Sequence, residues 1–509
     1  MKQVFTFHET VRGHLHIQRE IPCQDYSDSY SADNGKFHIA IVADGHGAKE
    51  CYRSAKGAKL AVETAMQNLI NFANTVLVSD EIENRFYKDI FSNPRYHKMT
   101  IKHLTDTIIA QWNDSVLEDY KMNPPTAEEA GEYLDQYSSD EEYPHIYGTT
   151  LIAGLWLPKC LILIQQGDGR CDVFYGDGSV DQPIPWDSRC EDNFTTSLCQ
   201  EDAVTSIRNC VINLEEKNVV ACYLGCDGIE DAYRDTYESF GGTHELMGGV
   251  HTFYKDLTCQ LLTMTAEDFQ EYLKNMLPEF SSNGRFSRSG SGDDVSVAGI
   301  VDLEAIQILK ESFLIDVKKY SLEEDLFWKE DELRGKTRKH GILLKRKNEA
   351  KDKMDSLKVD LENLEDRQAD LKQKREELVE EVNQAKEELD QFKKEADEET
   401  DAMKEDPSFN GPIRKSMRLL GLTLQEIYER IASGINQYEN RYMKLLEQLS
   451  EIDNTIQNEQ DNHQHLLADM KLAEESYETA KNSFDEYDTI YQKIDSEREK
   501  IVEMIQNLS

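Results

Sequence analysis

The chain has 509 residues, of which 57 are Lys or Arg and 98 are Asp or Glu, giving a formal net charge of −41. This length exceeds what one hydrophobic core serves, so we expect two or more domains. The negative charge argues against nucleic acid or an anionic membrane as the main partner, because both require a cationic surface. No apolar run reaches the roughly 18–20 residues that span a bilayer, and the N-terminus lacks a secretory hydrophobic region, which predicts a cytoplasmic protein.

The ten cysteines all lie between Cys23 and Cys259, with irregular spacing and no C-x-x-C pair. Neither a zinc knuckle nor a ladder of disulfides is indicated. Several of them, such as Cys160 and Cys222, lie in or beside apolar segments. This favours buried, reduced thiols.

The composition changes near residue 303. Before it, glycine, proline, cysteine and short apolar runs are mixed, as in a globular domain of helices and strands. After it, Glu, Lys, Gln and Leu dominate, and the only prolines are Pro407 and Pro412. We therefore predict a globular domain over residues 1–303 and a helical domain over residues 304–509.

The strongest strand pattern is Phe37–Ala43, which is rich in β-branched and aromatic residues. It runs directly into the turn Asp44-Gly45-His46-Gly47, where the glycines allow a sharp change of direction. The neighbouring predicted elements are an edge strand at Val4–Phe7, helices at about 48–72 and 80–120, and an acidic loop at 121–146.

Further apolar strands are predicted between residues 148 and 301. The sequence GDGR at Gly167–Arg170 lies between two of them and predicts a tight hairpin. A mostly helical stretch is predicted over about 244–278. A loop rich in serine and glycine then leads into Asp293, Asp294 and the strand VSVAGIV.

Aspartate stands beside the end of a predicted strand five times. A single aspartate in a turn usually only caps backbone N–H groups, and this is the ordinary explanation for each one. The repetition predicts more, because converging carboxylates repel one another unless a cation lies among them. Oxygen ligands without clustered Cys or His favour Mg²⁺ or Mn²⁺, and such a site suits the hydrolysis of a phosphoester. The residues are Asp25, Asp44, Asp168, Asp227 and Asp293, with Asp231 one helical turn past Asp227.

The motifs VADGHG, GTT, GDGR, CDGIED and GDDVSV, in this order, resemble those of the metal-dependent type-2C serine/threonine protein phosphatase family. The resemblance covers roughly residues 1–303. It implies an α+β fold, a four-layer α/β/β/α sandwich of two antiparallel sheets with the metal site at one edge. It also implies hydrolysis of phosphoserine and phosphothreonine in proteins by a hydroxide that bridges two Mg²⁺ or Mn²⁺ ions.

The resemblance also implies roles for the residues that match the family's motifs. Asp44 is expected to bridge the two ions, and the Gly45 carbonyl is expected to be a further ligand. Asp227 and Asp293 complete the ligands of one ion, and His46 resembles the general acid that protonates the leaving alcohol. The other implied metal-site residues are Asp25, at the end of the N-terminal motif, and Asp168 and Asp231, which with Asp227 resemble the ligands of a weaker third ion.

Three positions depart from the usual family pattern. Gln24 stands where the family often has Glu, and because Gln is neutral we expect the second ion to bind more weakly or through water. Asp294 stands where Asn is frequent, and we expect it to support the ligands rather than to be one. Arg19 is the nearest cation to the position of the family's phosphate-binding arginine, but its spacing is uncommon. An ordinary solvated surface arginine is the equal alternative for Arg19.

Two other functions remain open on the sequence. A phosphatase with a cysteine nucleophile would need a C-x5-R loop, and the chain contains none. A pseudophosphatase on a coiled-coil scaffold is the non-enzymatic alternative. The presence of Asp44, His46 and Asp227 argues against it.

The helical domain carries apolar residues at the 4-3 spacing of coiled coils in two arms, at about 321–404 and 423–508. Pro407 and Pro412 interrupt the helix between the arms. Because the arms are nearly equal in length, we predict an antiparallel hairpin about 120 Å long at ~1.5 Å per residue, with its tip at 405–422. A parallel dimer of each arm is the alternative.

The apolar stretch MRLLGLTLQEIYERI at the tip exceeds what a solvated turn needs. We therefore expect the coiled coil to bind a protein partner or to associate with a second copy. A phosphoprotein is the expected substrate of the globular domain, and neither nucleic acid nor a membrane is an expected partner.

Overall fold

The structure is a computed structural model that describes residues 3–33, 35–134, 143–190, 194–233, 237–240, 243–246, 249–283, 291–406, 408–418 and 420–508. The chain forms two compact units. The first is Met1–Trp328 with Glu499–Ser509, and the second is Lys329–Arg498. The strands described below all belong to the first unit.

The described residues contain twelve strands. They are β1 (Val4–Val11), β2 (Tyr26–Ser31), β3 (His38–Ala43), β4 (Leu151–Trp156), β5 (Cys160–Gln166), β6 (Arg170–Tyr175), β7 (Val180–Asp181), β8 (Arg208–Asn213), β9 (Val219–Gly225), β10 (Tyr237–Phe240), β11 (Thr243–Leu246) and β12 (Val295–Asp302). Ten of them form two antiparallel sheets, and β10 pairs with β11. Sheet I has the order β1-β12-β9-β6-β7, and sheet II has the order β2-β3-β4-β5-β8.

The two sheets face each other across one apolar layer. Side chains alternate along a strand, so each buried strand supplies two different layers. In β3, Ala40 and Val42 enter the layer between the sheets, whereas Ile39 and Ile41 point to the opposite face of sheet II. Both faces of β3 are buried, which explains why its sequence reads as a continuous apolar run rather than as an alternation.

Helices cover the outer faces of both sheets. The helices are α1 (His14–Gln18), α2 (Ser54–Val76), α3 (Asp80–Ser92), α4 (Pro94–Met122), α5 (Ala127–Ala130), α6 (Ala203–Ser206), α7 (Asp227–Glu230), α8 (Gly249–Leu261), α9 (Ala266–Asn283), α10 (Leu303–Ile306), α11 (Lys310–Glu405), α12 (Pro412–Arg418) and α13 (Leu424–Gln506). Helices α2, α3 and α4 pack on sheet II, and α8 and α9 pack on sheet I. The predicted α+β fold, a four-layer α/β/β/α sandwich, is therefore confirmed. Among the helices of the described ranges, none is both long enough and apolar enough to cross a bilayer.

The turn between β5 and β6 connects the two sheets. β5 pairs with β4 and β8 in sheet II, whereas β6 pairs with β9 and β7 in sheet I. The predicted tight hairpin at Gly167–Arg170 is therefore wrong. The Gln165 side-chain amide donates to the carbonyls of Gly167 and Gly169 (3.2 and 2.5 Å) and closes the turn locally. These hydrogen bonds within the turn reverse the direction of the chain, but they do not determine which sheet the next strand joins.

Two of the predicted helical stretches differ from the structure in detail. The pattern over 80–120 is broken at Asn93, because its side chain accepts hydrogen bonds from two backbone N–H groups of the next turn and a proline begins α4. The stretch predicted as helical over 244–278 begins inside β11, and α8 and α9 occupy most of the remainder. The predicted acidic loop at 121–146 includes residues 135–142, which lie outside the described residues.

In the second unit, α11 and α13 pair in opposite directions. His340 near the start of the hairpin contacts Asp488 (2.7 Å), and Glu388 farther along contacts Arg441 (2.7 Å). Residue numbers thus rise on one helix while they fall on the other, which confirms the antiparallel coiled-coil hairpin. The buried residues of its seam include Leu364, Val382, Ala385 and Leu389 of α11 and Ala473, Phe484 and Ile494 of α13.

The tip of the hairpin contains a small apolar cluster within residues 396–435. Glu399 is buried beside it and accepts hydrogen bonds from the N–H groups of Ile413 and Arg414 at the start of α12 (2.7 and 2.5 Å). Several residues of the stretch MRLLGLTLQEIYERI pack into this cluster, whereas Leu420 is 66% exposed. Internal packing therefore accounts for part of the apolar character of the tip.

Candidate metal centre

The aspartates at the strand ends line one cleft of about 1120 Å³. Gly225 of β9 lies opposite Val297 of the antiparallel β12, so the end of β9 and the start of β12 meet at one edge of sheet I. The turn after β3 in sheet II faces the same cleft. Among the residues that line it are Asp25, Asp44, Gly45, His46, Asp168, Asp227, Asp231 and Asp293.

The turn that carries Asp44 is fixed by the GTT motif. The Asp44 N–H donates to Thr150 Oγ1 (3.0 Å), and the Asp44 carbonyl accepts from the Thr150 N–H and from Thr149 Oγ1 (both 2.8 Å). At Gly45, a Cβ atom would lie 2.5 Å from the carbonyl oxygen of Gln24. Only glycine fits there, which explains the Asp-Gly pair at the end of β3.

The carboxyl groups of Asp25, Asp44 and Asp227 lie together at the buried end of the cleft. Burial is the main reason that the pKa of each is raised well above its ordinary value, and neighbouring carboxylates add to the effect. The charge of Asp25 raises the pKa of Asp44, and the charge of Asp44 raises the pKa of Asp227. Divalent cations among these groups would neutralise their negative charge.

The remaining carboxyl groups surround this buried trio. Burial raises the pKa of Asp168, in the turn that connects the sheets, and that of Asp293, just before β12. Asp231 is exposed at the cleft, and its N–H donates to the Asp227 carbonyl (2.8 Å) through one helical turn. The aspartates thus reach the cleft from both sheets and from α7.

The donor set fits Mg²⁺ or Mn²⁺. Asp25 Oδ2 and Gln24 Oε1 are buried and have no hydrogen-bond partner among the described residues, which is costly unless another group satisfies them. The Gln24 amide nitrogen donates to the His46 carbonyl (3.1 Å) and to Ser54 Oγ (2.7 Å), so its oxygen is left for the cleft. Oxygen atoms of this kind are the ligands that hard divalent cations prefer.

His46 occupies the wall of the cleft. Burial lowers the pKa of its imidazole to about 4, so the ring is neutral near pH 7. The backbone N–H of His46 donates to the Gly148 carbonyl (3.0 Å), and a Cβ at Gly148 would lie 2.6 Å from the imidazole ring. Close packing against glycine therefore holds the imidazole beside the carboxylates.

Asp294 is almost fully buried and connects the N-terminal segment to β12. One of its oxygens accepts from the Gly13 N–H (2.6 Å) and lies 2.9 Å from His16 Nδ1, and the other accepts from the Gln24 N–H (2.6 Å). Three donors thus converge on one carboxylate. This arrangement fixes the segment that carries Gln24 and Asp25 against the cleft.

Two arginines differ in their relation to the cleft. Arg19 follows α1, is exposed and is not among the residues that line the cleft. Arg170 is buried, and its guanidinium makes two hydrogen bonds to Glu230 (2.9 and 3.2 Å) and stacks 3.8 Å from the ring of Trp186. The contacts with Glu230 and Trp186 hold the Arg170 side chain in place, and Arg170 thereby stabilises the wall of the cleft near Asp168.

The sequence analysis missed His16. The structure places its Nε2 3.4 Å from Asp293 Oδ1 inside the cleft. The segment around it is polar and aperiodic, and a lone histidine there gives no motif or spacing signal. Only the folded contact between α1 and the loop before β12 reveals its position.

Comparisons with known proteins place this site in a family. The family model described as Protein phosphatase 2C matches residues 12–277. Similar solved structures include the serine/threonine phosphatase Stp1 from Staphylococcus aureus (14% identity, TM-score 0.33), with 59% of this chain and 95% of that chain covered. The S. agalactiae serine/threonine phosphatase is 17% identical over 58% of this chain and 99% of its own, with a TM-score of 0.33.

A third similar structure is the catalytic domain of the serine threonine protein phosphatase PstP, determined in complex with two manganese ions. It is 15% identical, covers 58% of this chain and 97% of that chain, and has a TM-score of 0.33. No curated protein matches the chain significantly. The family model covers more than half of the chain and the site residues from His16 to Asp231, whereas Asp293 and Asp294 lie beyond its match. The chain belongs to the protein phosphatase 2C family.

Proposed function

We propose that residues 1–303 form a metal-dependent phosphatase for phosphoserine and phosphothreonine in proteins. The observation that carries this proposal is the convergence of buried carboxylates from both sheets in one cleft. Such a cluster stores electrostatic repulsion that divalent cations would relieve. Membership of the protein phosphatase 2C family gives the chemistry that such a centre performs.

The proposed ligands are the residues that match the family's motifs, and all of them line the cleft. Asp44, which lies among the buried carboxyl groups, would hold both ions, and the Gly45 carbonyl would contribute a further oxygen. Asp227 and Asp293 complete the ligands of one ion. The remaining members of the proposed site are Asp25, whose Oδ2 lacks a partner among the described residues, and Asp168 and Asp231, which hold a weaker third ion.

The catalytic roles divide between the ions and the chain. When bound, two divalent ions activate a water molecule and neutralise the phosphoryl oxygens. His46 donates the proton to the departing serine or threonine oxygen. Its ring is neutral in the folded chain, and a phosphate dianion beside it would raise its pKa because the anion stabilises the imidazolium. Substrate binding and protonation of His46 are therefore coupled.

Two roles are open for Arg19, a contact to the substrate phosphate and a solvated surface arginine. Its exposed position after α1, outside the residues that line the cleft, favours the alternative of a solvated surface arginine. A phosphate contact would predict that Arg19→Ala raises KM for a phosphopeptide. A solvated arginine predicts an unchanged KM.

The decisive experiment measures hydrolysis of p-nitrophenyl phosphate and of a phosphopeptide by the full chain in Mn²⁺ and in Mg²⁺. We expect activity that chelation abolishes and that Asp44→Asn and Asp227→Asn remove. Asp114→Asn is the matched control, because Asp114 is an exposed aspartate of α4 outside the cleft. Absence of turnover in millimolar Mn²⁺ would favour the pseudophosphatase on a coiled-coil scaffold.

We also propose that the coiled coil of residues 304–509 binds a protein partner or a second copy. The exposed Leu420 and the half-exposed Leu424 at the tip support this, because they lie outside the buried cluster there. Light scattering tests self-association, and Leu420→Glu should reduce it if the tip is the contact.

All ten cysteines are free thiols, which supports a cytoplasmic location.

A further inference from the structure

His16 lies between two carboxylates at the edge of the metal centre. Its Nδ1 is 2.9 Å from Asp294 Oδ1, and its Nε2 is 3.4 Å from Asp293 Oδ1. The three side chains place one potential ligand atom each within 4.8 Å of one another. Two atoms bound to the same ion at about 2.1 Å are about 3 Å apart when they occupy adjacent positions. The Nε2–Oδ1 distance is thus close to that of neighbouring ligands.

The scaffold holds this histidine from several sides. Gly13 packs directly on the backbone of Asp293 and Asp294, where a Cβ would clash. The Leu15 N–H donates to the Gly292 carbonyl (2.8 Å), which joins α1 to the loop before β12. The position of the imidazole is therefore set by backbone contacts before any ligand arrives, as expected for a preorganised site.

The hydrogen bond to Asp294 fixes the tautomer of His16. A buried carboxylate that already accepts two backbone N–H groups acts only as an acceptor, so His16 Nδ1 carries the proton. The lone pair of Nε2 then points to the side of Asp293. A histidine that donates to a carboxylate through one nitrogen and offers the other is the common arrangement at metal sites in proteins.

A second observation points to a ligand at this place. Asp25 is only 6% exposed, its Oδ2 has no partner among the described residues, and it lies close enough to Asp293 and Asp294 to feel their charge. The neighbouring Gln24 supplies a neutral oxygen where the family often has a carboxylate. The unpartnered oxygen of Asp25 indicates a cation at this place. Because Gln24 replaces a carboxylate, that cation has a coordination position left for a further ligand.

We propose that His16 Nε2 is a direct ligand of the ion held by Asp293, with Asp294 as the residue that orients it. The proposal rests on the metal dependence of the proposed function. Nitrogen ligands suit Mn²⁺ and other transition metals better than Mg²⁺. His16 thus increases the preference of the centre for Mn²⁺ over Mg²⁺ relative to the same site without it.

The test is pulsed electron paramagnetic resonance of the full chain loaded with Mn²⁺, which detects a directly bound ¹⁴N nucleus. We expect a ¹⁴N coupling in the native chain that disappears in His16→Asn, since the Asn amide can still donate to Asp294 but its nitrogen offers no lone pair to a metal. His14→Asn is the matched control, because His14 is an exposed histidine on the same helix. Calorimetry should show at least about a tenfold loss of Mn²⁺ affinity in His16→Asn and a smaller loss of Mg²⁺ affinity.

The outcomes separate this proposal from the proposed function. Mn²⁺ binding without a ¹⁴N coupling in the native chain overturns the role of His16, while phosphatase activity in the same sample leaves the function standing. A coupling that persists in His16→Asn also overturns it. If the coupling is lost only in His16→Asn but the chain shows no turnover, His16 is a ligand and the proposed phosphatase activity is wrong. If the chain binds no Mn²⁺ at all, both proposals are wrong.

Discussion

The aspartates of the cleft oppose folding when no cation is bound. Burial and mutual repulsion raise the pKa values of Asp25, Asp44 and Asp227, so each ionised form is less favourable in the folded chain than in water. Residues kept for a binding site commonly lower stability in this way. The aspartates at strand ends are therefore explained by the ions they are proposed to bind rather than by a contribution to folding.

The first prediction concerns the stability of the chain without metal. Asp44→Asn removes one charge from the buried trio, so we expect it to raise the free energy of unfolding in chelator by about 0.5–2 kcal/mol. The same variant should lose the stabilisation that Mn²⁺ gives to the native chain. Thermal unfolding with and without Mn²⁺ measures both effects. Asp114→Asn should change neither the stability in chelator nor the stabilisation by Mn²⁺. A lower unfolding midpoint for Asp44→Asn than for the native chain in chelator would contradict the proposed repulsion among the aspartates.

The second prediction separates two roles of His46. If its imidazole protonates the leaving oxygen, His46→Gln should reduce kcat for a phosphoserine peptide by ~10²–10⁴-fold. The loss on p-nitrophenyl phosphate should be smaller, because p-nitrophenolate leaves readily without a proton. Equal losses on both substrates would show instead that His46 orients ligands or supports the turn.

The sequence predicted which aspartates line the cleft, because these residues lie in turns with distinctive local chemistry. Asp44 and Asp227 each precede glycine at the end of an apolar strand, and such pairs are visible without a structure. The position of His16 in the cleft could not be predicted, because it depends on a contact with a loop almost 280 residues later in the chain. Arg19 shows the converse, since proximity in sequence did not bring it into the cleft.

At the scale of elements, the spacing of apolar residues predicted helix packing, whereas the turn sequence did not predict which strands pair. The 4-3 spacing predicted the buried seam of α11 and α13, because a coiled coil repeats the same contact along its length. The Gly167–Arg170 turn looked like a hairpin, yet β5 and β6 belong to different sheets. Pairing partners come from packing across the sandwich, which a turn of four residues does not encode.

The third prediction tests the seam of the hairpin. Leu389 is 5% exposed between α11 and α13, so Leu389→Ala should lower the stability of the helical unit by about 2–5 kcal/mol. Leu472, on α13, is 64% exposed, and Leu472→Ala should stay within about 0.5 kcal/mol. Denaturation followed by circular dichroism at the helical band measures the difference. Equal effects would show that the seam does not stabilise this unit.

At the scale of the whole molecule, the dominant property is the net charge of −41. A phosphoprotein is itself locally anionic, so the chain repels its proposed substrates at long range unless basic residues flank the phosphate. The charge therefore acts on encounter with substrate rather than on the chemical step. Composition alone gave this property, since it needs no knowledge of the fold.

The fourth prediction follows from that charge. A phosphopeptide flanked by Lys and Arg should have a kcat/KM on the order of tenfold higher than one flanked by Asp and Glu at low salt. The gap should narrow in 0.5 M NaCl, because salt screens the charges of exposed groups. Steady-state kinetics of the two peptides at both salt concentrations check this. A gap that does not change with salt would point to local contacts in the cleft instead.

The proposed metal ligands come from both sheets and meet at one edge of the sandwich. Asp44 comes from sheet II, whereas Asp227 and Asp293 come from sheet I, and the β5–β6 turn passes between the sheets at the same place. Ions bound there would tie the two sheets together beside the aspartates. Farther along, hydrogen bonds between β1 and β2, such as the one between Thr6 Oγ1 and Ser31 Oγ (3.0 Å), join the sheets without a metal. Loading with metal would then make the resistance of the sandwich to local opening uneven, with the largest gain beside the aspartates.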